Sequence, residues 1–319
     1  MLISKTPLRI SFIGGGTDHL VDEKSYGSVI STSINKYIYI ALNNHFKKEI
    51  SISYRIKEDV SSIDKIRHPI FRETLRHFNI KKGIGISSMA DISSEGTGLG
   101  SSGSFSVGLI NLLSKLKNKK LKKNDIAKLA YDIERYKCNV MGGKQDQIQA
   151  ANGGFNQIYF YENGSFKVKK LVISAQRLRK LKENLIVFNT GIVRQSSKIQ
   201  RKVVKNQNIK TEFKILNSYL EDFKKELISG DLNNCGKILN ETWNIKKKYS
   251  GNVSSPFIDK CYNFALKNGA LGGKILGAGG GGFLLFYCPK KLQSNLKRRL
   301  KLQTFDFDFT NDASKIIKI

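Results

Sequence analysis

A chain of 319 residues, 40% hydrophobic and 25% charged, can bury one large core or two abutting ones and has an ordinary globular composition. Its 55 Lys and Arg against 26 Asp and Glu give +29, but these are mostly Lys spread along the whole chain, with only Trp243 and scattered Tyr and Phe among them, which disfavours a nucleic-acid surface. With no apolar leader, no run of about 18 apolar residues, no CxxC among Cys138, Cys235, Cys261 and Cys288, and no metal-ligand pair formed with the histidines, neither secretion, membrane spanning, disulfides nor structural zinc is expected, and a reducing cytoplasm is.

In chain order, Leu8, Ile10 and Phe12 alternate with polar neighbours, as do Tyr37, Tyr39 and Ala41 and then Ile50, Ile52 and Tyr54, which predicts three strands. A helix follows at about 69–78 and a strand at 83–92. Glu95-Gly96-Thr97-Gly98-Leu99-Gly100-Ser101-Ser102 then leads into an apolar helical run at 105–116. The Lys-rich stretch 115–123 (KLKNKKLKK) reads as a solvated loop in preference to an anion-binding segment. Asn124 is a fair N-cap for the next helix, on which Ile126, Leu129, Ala130 and Ile133 share a face. Asn163-Gly164 between two alternating runs predicts a hairpin. A buried strand at 185–188 and helices at about 196–206, 210–228, 232–247 and 256–268 come next. A glycine-rich strand region at 272–288 and a terminal helix and strand complete the chain. Strands and helices first and mostly helices later predict an α+β fold in two abutting lobes, 1–180 and 181–319.

Much of the glycine is clustered, which points to backbone held close to a ligand. In Gly98-Leu99-Gly100-Ser101-Ser102-Gly103-Ser104, glycines before a helix start let backbone N–H groups and the positive end of the helix dipole face a phosphate. A hydroxyl there can ligate phosphate-bound Mg²⁺. No Gly-Lys-Ser/Thr follows, so this is not a Walker A loop, and taken alone a glycine turn with Ser101 as N-cap explains it equally well. Two further clusters accompany it. Pro7-Leu8-Arg9-Ile10-Ser11-Phe12-Ile13-Gly14-Gly15-Gly16-Thr17-Asp18 is a strand ending in a glycine turn with a carboxylate beyond. Lys274-Ile275-Leu276-Gly277-Ala278-Gly279-Gly280-Gly281-Gly282-Phe283 puts six small residues between two apolar strands; a hairpin with a wide turn or glycine-permitted close packing would account for these two clusters without a ligand.

Together, in this order and over nearly the whole chain, the three clusters resemble the motifs of the GHMP kinases, a superfamily that includes galactokinase, homoserine kinase and mevalonate kinase. The resemblance implies a ribosomal-protein-S5-like N-terminal lobe, an α+β C-terminal lobe and a site in the cleft, where the γ-phosphoryl of ATP moves to a sugar hydroxyl with Mg²⁺. One departure is Ser94, where the family usually has proline. Gly142-Gly143-Lys144-Gln145-Asp146-Gln147 looks like the segment carrying the family's catalytic aspartate, Asp146, with Arg9 as the basic residue beside it. By the same resemblance Ser102 and Glu134 would be Mg²⁺ ligands. Phosphoryl transfer needs placement, charge neutralisation and an acceptor hydroxyl whose proton is taken, and Asp146 could act as base or only orient that hydroxyl.

Galactokinases carry Gly-Glu-His-Thr-Asp where this chain has Gly14-Gly15-Gly16-Thr17-Asp18. With Leu271-Gly272-Gly273-Lys274 this resembles the D-glycero-D-manno-heptose 7-phosphate kinases, and fucokinases share the first feature. The implied reaction phosphorylates the anomeric hydroxyl to the 1,7-bisphosphate, on the way to nucleotide-heptose and surface polysaccharide. The implied sugar end comprises Gly14, Gly15, Gly16, Thr17, Asp18, Gly142, Gly143, Gly279 and Gly280. Arg194, Lys246, Lys247 and Lys274 are candidates for a second phosphate. The alternatives are a fucokinase-like enzyme acting on an unphosphorylated sugar, an inactive GHMP relative that senses sugar, and a nucleic-acid-binding protein. The expected partners are ATP and a small sugar phosphate, without nucleic acid or membrane; a homodimer is left open.

Overall fold

The computed structural model describes residues 1–18, 27–44, 48–92, 96–193, 209–250 and 253–318. Ser94, Arg194 and the helix expected at 196–206 lie outside these residues.

Two long strands, β1 (Leu2–Ile13) and β2 (Gly27–Asn44), form the middle of an eight-stranded sheet. The order is β11-β1-β2-β5-β3-β4, with β3 at Ile50–Ser53, β4 at Lys57–Val60, β5 at Ile84–Ala90 and β11 at Lys315–Lys318. β6 (Phe155–Phe160) pairs with β2, and β7 (Phe166–Lys170) pairs with β6. The β6–β7 turn carries Asn163-Gly164 as expected, with Gly164 at φ +76° and Asn163 Oδ1 accepting from the Ser165 N–H. β1 pairs antiparallel with β2 but slips register between Ser11 and Ile13, so Phe12 lies at a bulge.

Helices cover one face of this sheet: α1 (Pro69–His77), α2 (Ser101–Leu116), α3 (Lys123–Asp132) and α4 (Gln145–Asn152). In α2 nearly every side chain from Ser101 to Ser114 is buried, as in a helix packed on all sides. Gly108 of α2 is where strand and helix close in, since a Cβ there would fall 2.7 Å from Thr6 Oγ1. α3 starts one residue before Asn124, with Lys122 as its cap and Asp125 accepting the Lys122 N–H. The Lys-rich stretch after α2 is a turn facing mostly solvent.

The second layer holds a three-stranded sheet, β8-β10-β9 (Leu185–Asn189, Phe283–Tyr287, Gly272–Ile275). Around it run α5 (Ala175–Glu183), α6 (Ile209–Ile228), α7 (Leu232–Ser250), α8 (Pro256–Lys267) and α9 (Lys290–Leu300). Its core is built on Trp243, Tyr262, Phe188 and Phe286. α5 was not expected: Ser174 caps it, but only Leu181 is buried, so its apolar stripe is too thin to read. The last strand, β11, leaves this layer and pairs with β1, so the end of the chain is built into the first sheet. Among the described residues no helix is long and apolar enough to cross a membrane, and all four cysteines are free thiols.

Candidate active site

Three segments meet around one guanidinium. Arg9, in mid-β1 and 3% exposed, holds Asp146 Oδ1 at 2.8 Å from Nε and 2.7 Å from Nη2, and its Nη1 donates to the Gly98 carbonyl. Its backbone N–H donates to the Leu99 carbonyl at 2.9 Å. One residue therefore ties strand, glycine loop and the first turn of α4 together. Glycine is required where these parts touch. A Cβ on Gly100, at φ +76°, would fall 2.9 Å from Arg9 Cγ, and one on Gly103 would fall 2.7 Å from Asp146 Cβ. Asp146 thus sits against the first turn of α2, where N–H groups have no intrahelical acceptor.

The three serines of the loop have different surroundings. Ser104 Oγ donates to the Pro7 carbonyl at 2.8 Å and anchors α2 to β1, and Ser101 Oγ pairs with Thr97 Oγ1 at 3.2 Å. Leu99 is a core residue. Only Ser102 is exposed, and its hydroxyl donates to Glu134 Oε2 at 2.5 Å. Gln147 Nε2, a partner the sequence did not suggest, donates to the other oxygen of Glu134 at 2.9 Å. Glu134 lies in a widened π-helical turn, Ile133–Lys137, closed by the Cys138 N–H on the Ile133 carbonyl. Burial pushes its carboxyl pKa up, opposed by the hydrogen bonds from Ser102 and Gln147. Among the described residues no group of three His, Cys, Asp or Glu could hold a metal by itself. A buried carboxylate beside a hydroxyl at a phosphate site does fit Mg²⁺, which would offset the charge of a nucleotide's phosphates there.

The first glycine turn is stapled from within. The Thr17 hydroxyl donates to the Gly14 and Ser28 carbonyls, so it shapes the turn. A Cβ on Gly14, at φ +82°, would strike the Ser28 carbonyl oxygen at 1.9 Å. Asp18 is 3% exposed and accepts from Gln145 N–H at 3.0 Å and from Gln145 Nε2 at 3.4 Å, which makes it an anchor for the start of α4. Gly143 lets it approach, since a Cβ there would meet its carboxylate at 1.9 Å, and Gly142 precedes it in the same loop. α4 is fixed further by buried Gln149, bonded to Ser31, Ser33, Gly154 and Asn156.

The third cluster docks on the first two by backbone contact. A Cβ on Gly98 would lie 2.1 Å from the Leu276 carbonyl oxygen, and one on Gly282 would lie 2.5 Å from that of Gly96. Gly279 and Gly280 press on Val253, whose carbonyl accepts from Gly280 N–H at 2.6 Å. Of the basic candidates, Lys247 points away: it pairs with Asp259 at 3.3 Å and lies over the Tyr262 ring. Lys246 and Lys274 instead line a small recess with Gly14 and Gly15. A larger cavity of about 380 Å³ flanks the loop, lined by Thr97, Asn189, Ile192, Gly282, Phe283 and Phe305.

Residues 65–154 match the profile described as GHMP kinases N terminal domain, and residues 223–305 match GHMP kinases C terminal. The chain belongs to the GHMP kinase family. It is 31% identical to the D-glycero-alpha-D-manno-heptose 7-phosphate kinase of Campylobacter jejuni, over 99% of this chain and 98% of that protein. It is 23% identical to the bifunctional fucokinase/GDP-fucose pyrophosphorylase of Arabidopsis thaliana, over 95% of this chain and 31% of that longer protein. A crystal structure titled D-glycero-D-manno-heptose 1-phosphate kinase, from Bacteroides thetaiotaomicron, superposes with a TM-score of 0.78 at 24% identity, over 100% of this chain and 99% of that one. As a GHMP kinase the chain is a phosphotransferase that uses ATP.

Proposed function

We propose that this kinase phosphorylates the anomeric hydroxyl of D-glycero-D-manno-heptose 7-phosphate, forming the 1,7-bisphosphate and ADP, with Mg²⁺ on the nucleotide. The observation that carries the reading is the Arg9–Asp146 pair locked beneath the glycine loop, beside Ser102 and Glu134. In the step, the anomeric oxygen forms a bond to the γ-phosphorus as the bond to the β–γ bridging oxygen breaks, and ADP leaves with that electron pair. Asp146 orients the hydroxyl and takes its proton. Arg9 and the N–H groups at the start of α2 stabilise charge on the moving phosphoryl group. Ser102 and Glu134 would hold the cation, which would offset charge on the nucleotide's phosphates.

The choice of sugar rests on the bare Gly14-Gly15-Gly16 turn, which leaves room for a long acceptor, and on the full-length similarity to the Campylobacter enzyme. The second reading, a fucokinase-like enzyme, is favoured by the similarity to the Arabidopsis protein. An inactive sensor is disfavoured, because Asp146, Arg9, Ser102 and Glu134 are all present and already brought together. The test is ADP release with heptose 7-phosphate, fucose, galactose, mevalonate and homoserine, with phosphorus NMR of the product. Heptose 7-phosphate should give the highest kcat/KM and an anomeric phosphate signal. Preference for fucose would promote the second reading, and no turnover of any sugar would refute both.

A further inference from the structure

Behind the Gly14–Gly15 turn lies a recess that the reacting groups do not use. It is lined by Phe12, Gly14 and Gly15 on the strand side and by Trp243, Lys246 and Lys274 on the other. Its donors outnumber its acceptors. Lys274 is 7% exposed, and its Nζ gives one hydrogen bond, 2.9 Å to the carbonyl of Phe12 at the β1 bulge. An ammonium has three N–H donors, so two have no partner among the described residues. Trp243 is 1% exposed and its indole N–H likewise has no acceptor. Lys246 Nζ reaches across the mouth to within 3.4 Å of the Gly277 carbonyl. Among the described residues no acidic side chain lines the recess. Buried donors left without acceptors are costly, and a buried cation is rarely kept without an anion to meet it.

The turn beside this recess carries no side chain: Gly14 and Gly16 hold backbone conformations of φ +82° and +109° that favour glycine, and a Cβ on Gly15 would meet Ser11 Oγ at 3.3 Å and Gln145 Nε2 at 3.8 Å. Ser11 Oγ and Gln145 Oε1 are themselves buried and unpartnered, next to the Asp146 end of the turn. Polar groups able to read hydroxyls and cationic donors thus both border the Gly14–Gly15 turn. An acceptor crossing the turn would have its reacting hydroxyl at Asp146 and its far end at the lysines.

We propose that Lys246, Lys274 and the indole N–H of Trp243 form the site for the acceptor's own phosphate, and so select a phosphorylated sugar over its unphosphorylated form. This rests on the reading of the substrate as a sugar phosphate. The recess encloses about 10 Å³, roughly the room for one water, so the phosphate stands at its mouth with oxygens turned toward the donors. Burial, with Lys246 and Arg9 nearby, pushes the Lys274 ammonium well below its ordinary pKa, and a bound anion reverses that push.

The chain's single tryptophan is the reporter. Inorganic phosphate, heptose 7-phosphate and unphosphorylated heptose are titrated without ATP while Trp243 emission is followed. Kinase assays then give the ratio of kcat/KM for the phosphorylated over the unphosphorylated sugar. In the wild type, inorganic phosphate and heptose 7-phosphate change the emission saturably. Lys246→Gln and Lys274→Met should each weaken both responses and lower the ratio about ten- to a hundredfold, as expected for one charged contact to phosphate. Lys246 is half-buried, so Lys246→Gln answers the question even if Lys274→Met does not fold. A ratio that stays put in folded Lys246→Gln, or a wild type whose tryptophan ignores phosphate, overturns the proposal. If the wild type responds to inorganic phosphate but does not turn over heptose 7-phosphate, the recess stands and the substrate reading falls.

Discussion

Replacing Asp146 by Asn tests the centre of the proposed chemistry with almost no change of shape. In the wild type one carboxylate oxygen receives two guanidinium contacts, at 2.8 and 2.7 Å, from an Arg9 side chain that is 4% exposed. The Asn carbonyl can still accept, but it carries no charge, so Arg9 is left buried with only the Gly98 carbonyl as a strong partner. Charge-assisted hydrogen bonds contribute roughly 1.5–3 kcal/mol each. The Asp146 side chain is 27% exposed, however, so water screens part of the loss, and about 1–3 kcal/mol of stability is the expected cost. A few degrees of Tm correspond to that at ~2–4 °C per kcal/mol. Turnover should fall much further. Without a carboxylate to hold the acceptor hydroxyl and take its proton, kcat should drop about 10²-fold or more, with KM for ATP little changed. The assay is ADP release at saturating ATP, with calorimetry on the same preparation. A folded Asp146→Asn enzyme with kcat within about threefold of wild type would refute the role given to this residue.

Ser102→Ala and Glu134→Gln should each raise the Mg²⁺ concentration needed for half-maximal rate about tenfold or more, and EDTA should abolish wild-type activity; metal-independent turnover would overturn the assignment. Gly98→Ala should cost several kcal/mol and most of the activity, because its Cβ would collide with the Leu276 carbonyl at 2.1 Å from a backbone already at φ +74°, and an unchanged melting curve would count against the docking contact. His68 sits against Tyr54, Phe71 and Phe105 with Nδ1 unpartnered, and burial holds its pKa below the ordinary histidine value while Glu58 opposes. Its folded pKa lies below its unfolded one, so stability is fully present above about pH 6.5 and is lost as pH falls from there toward the folded pKa. His68→Phe should flatten Tm between about pH 6.5 and 5 relative to wild type, and parallel curves for the two proteins would exclude His68 as the titrating group.

The local elements were written in the sequence because their signals are local. The alternation around Leu8, Ile10 and Phe12, the Asn163-Gly164 turn and the run before Leu116 report on neighbours a few residues away, and each became the expected strand, hairpin or helix. The three glycine clusters were visible for the same reason, and they carried the resemblance to the GHMP kinases. Residue roles within those clusters depended on contacts between distant parts of the chain. Gly98 and Gly282 are glycines because another backbone passes within 2.5 Å of where their Cβ atoms would be. Thr17 and Ser104, which look like ligands in the motifs, have their hydroxyls on backbone carbonyls, and Asp18 anchors α4. α5, with Leu181 alone buried, was unreadable because its apolar stripe is so thin, and the terminal strand, though expected, carried no local sign of its pairing with β1, a contact between the two ends of the chain. Between Lys246 and Lys247 the composition draws no distinction. One residue along a helix turns a side chain by about 100°, and that rotation alone sends Lys247 to Asp259 and Lys246 to the glycine turn.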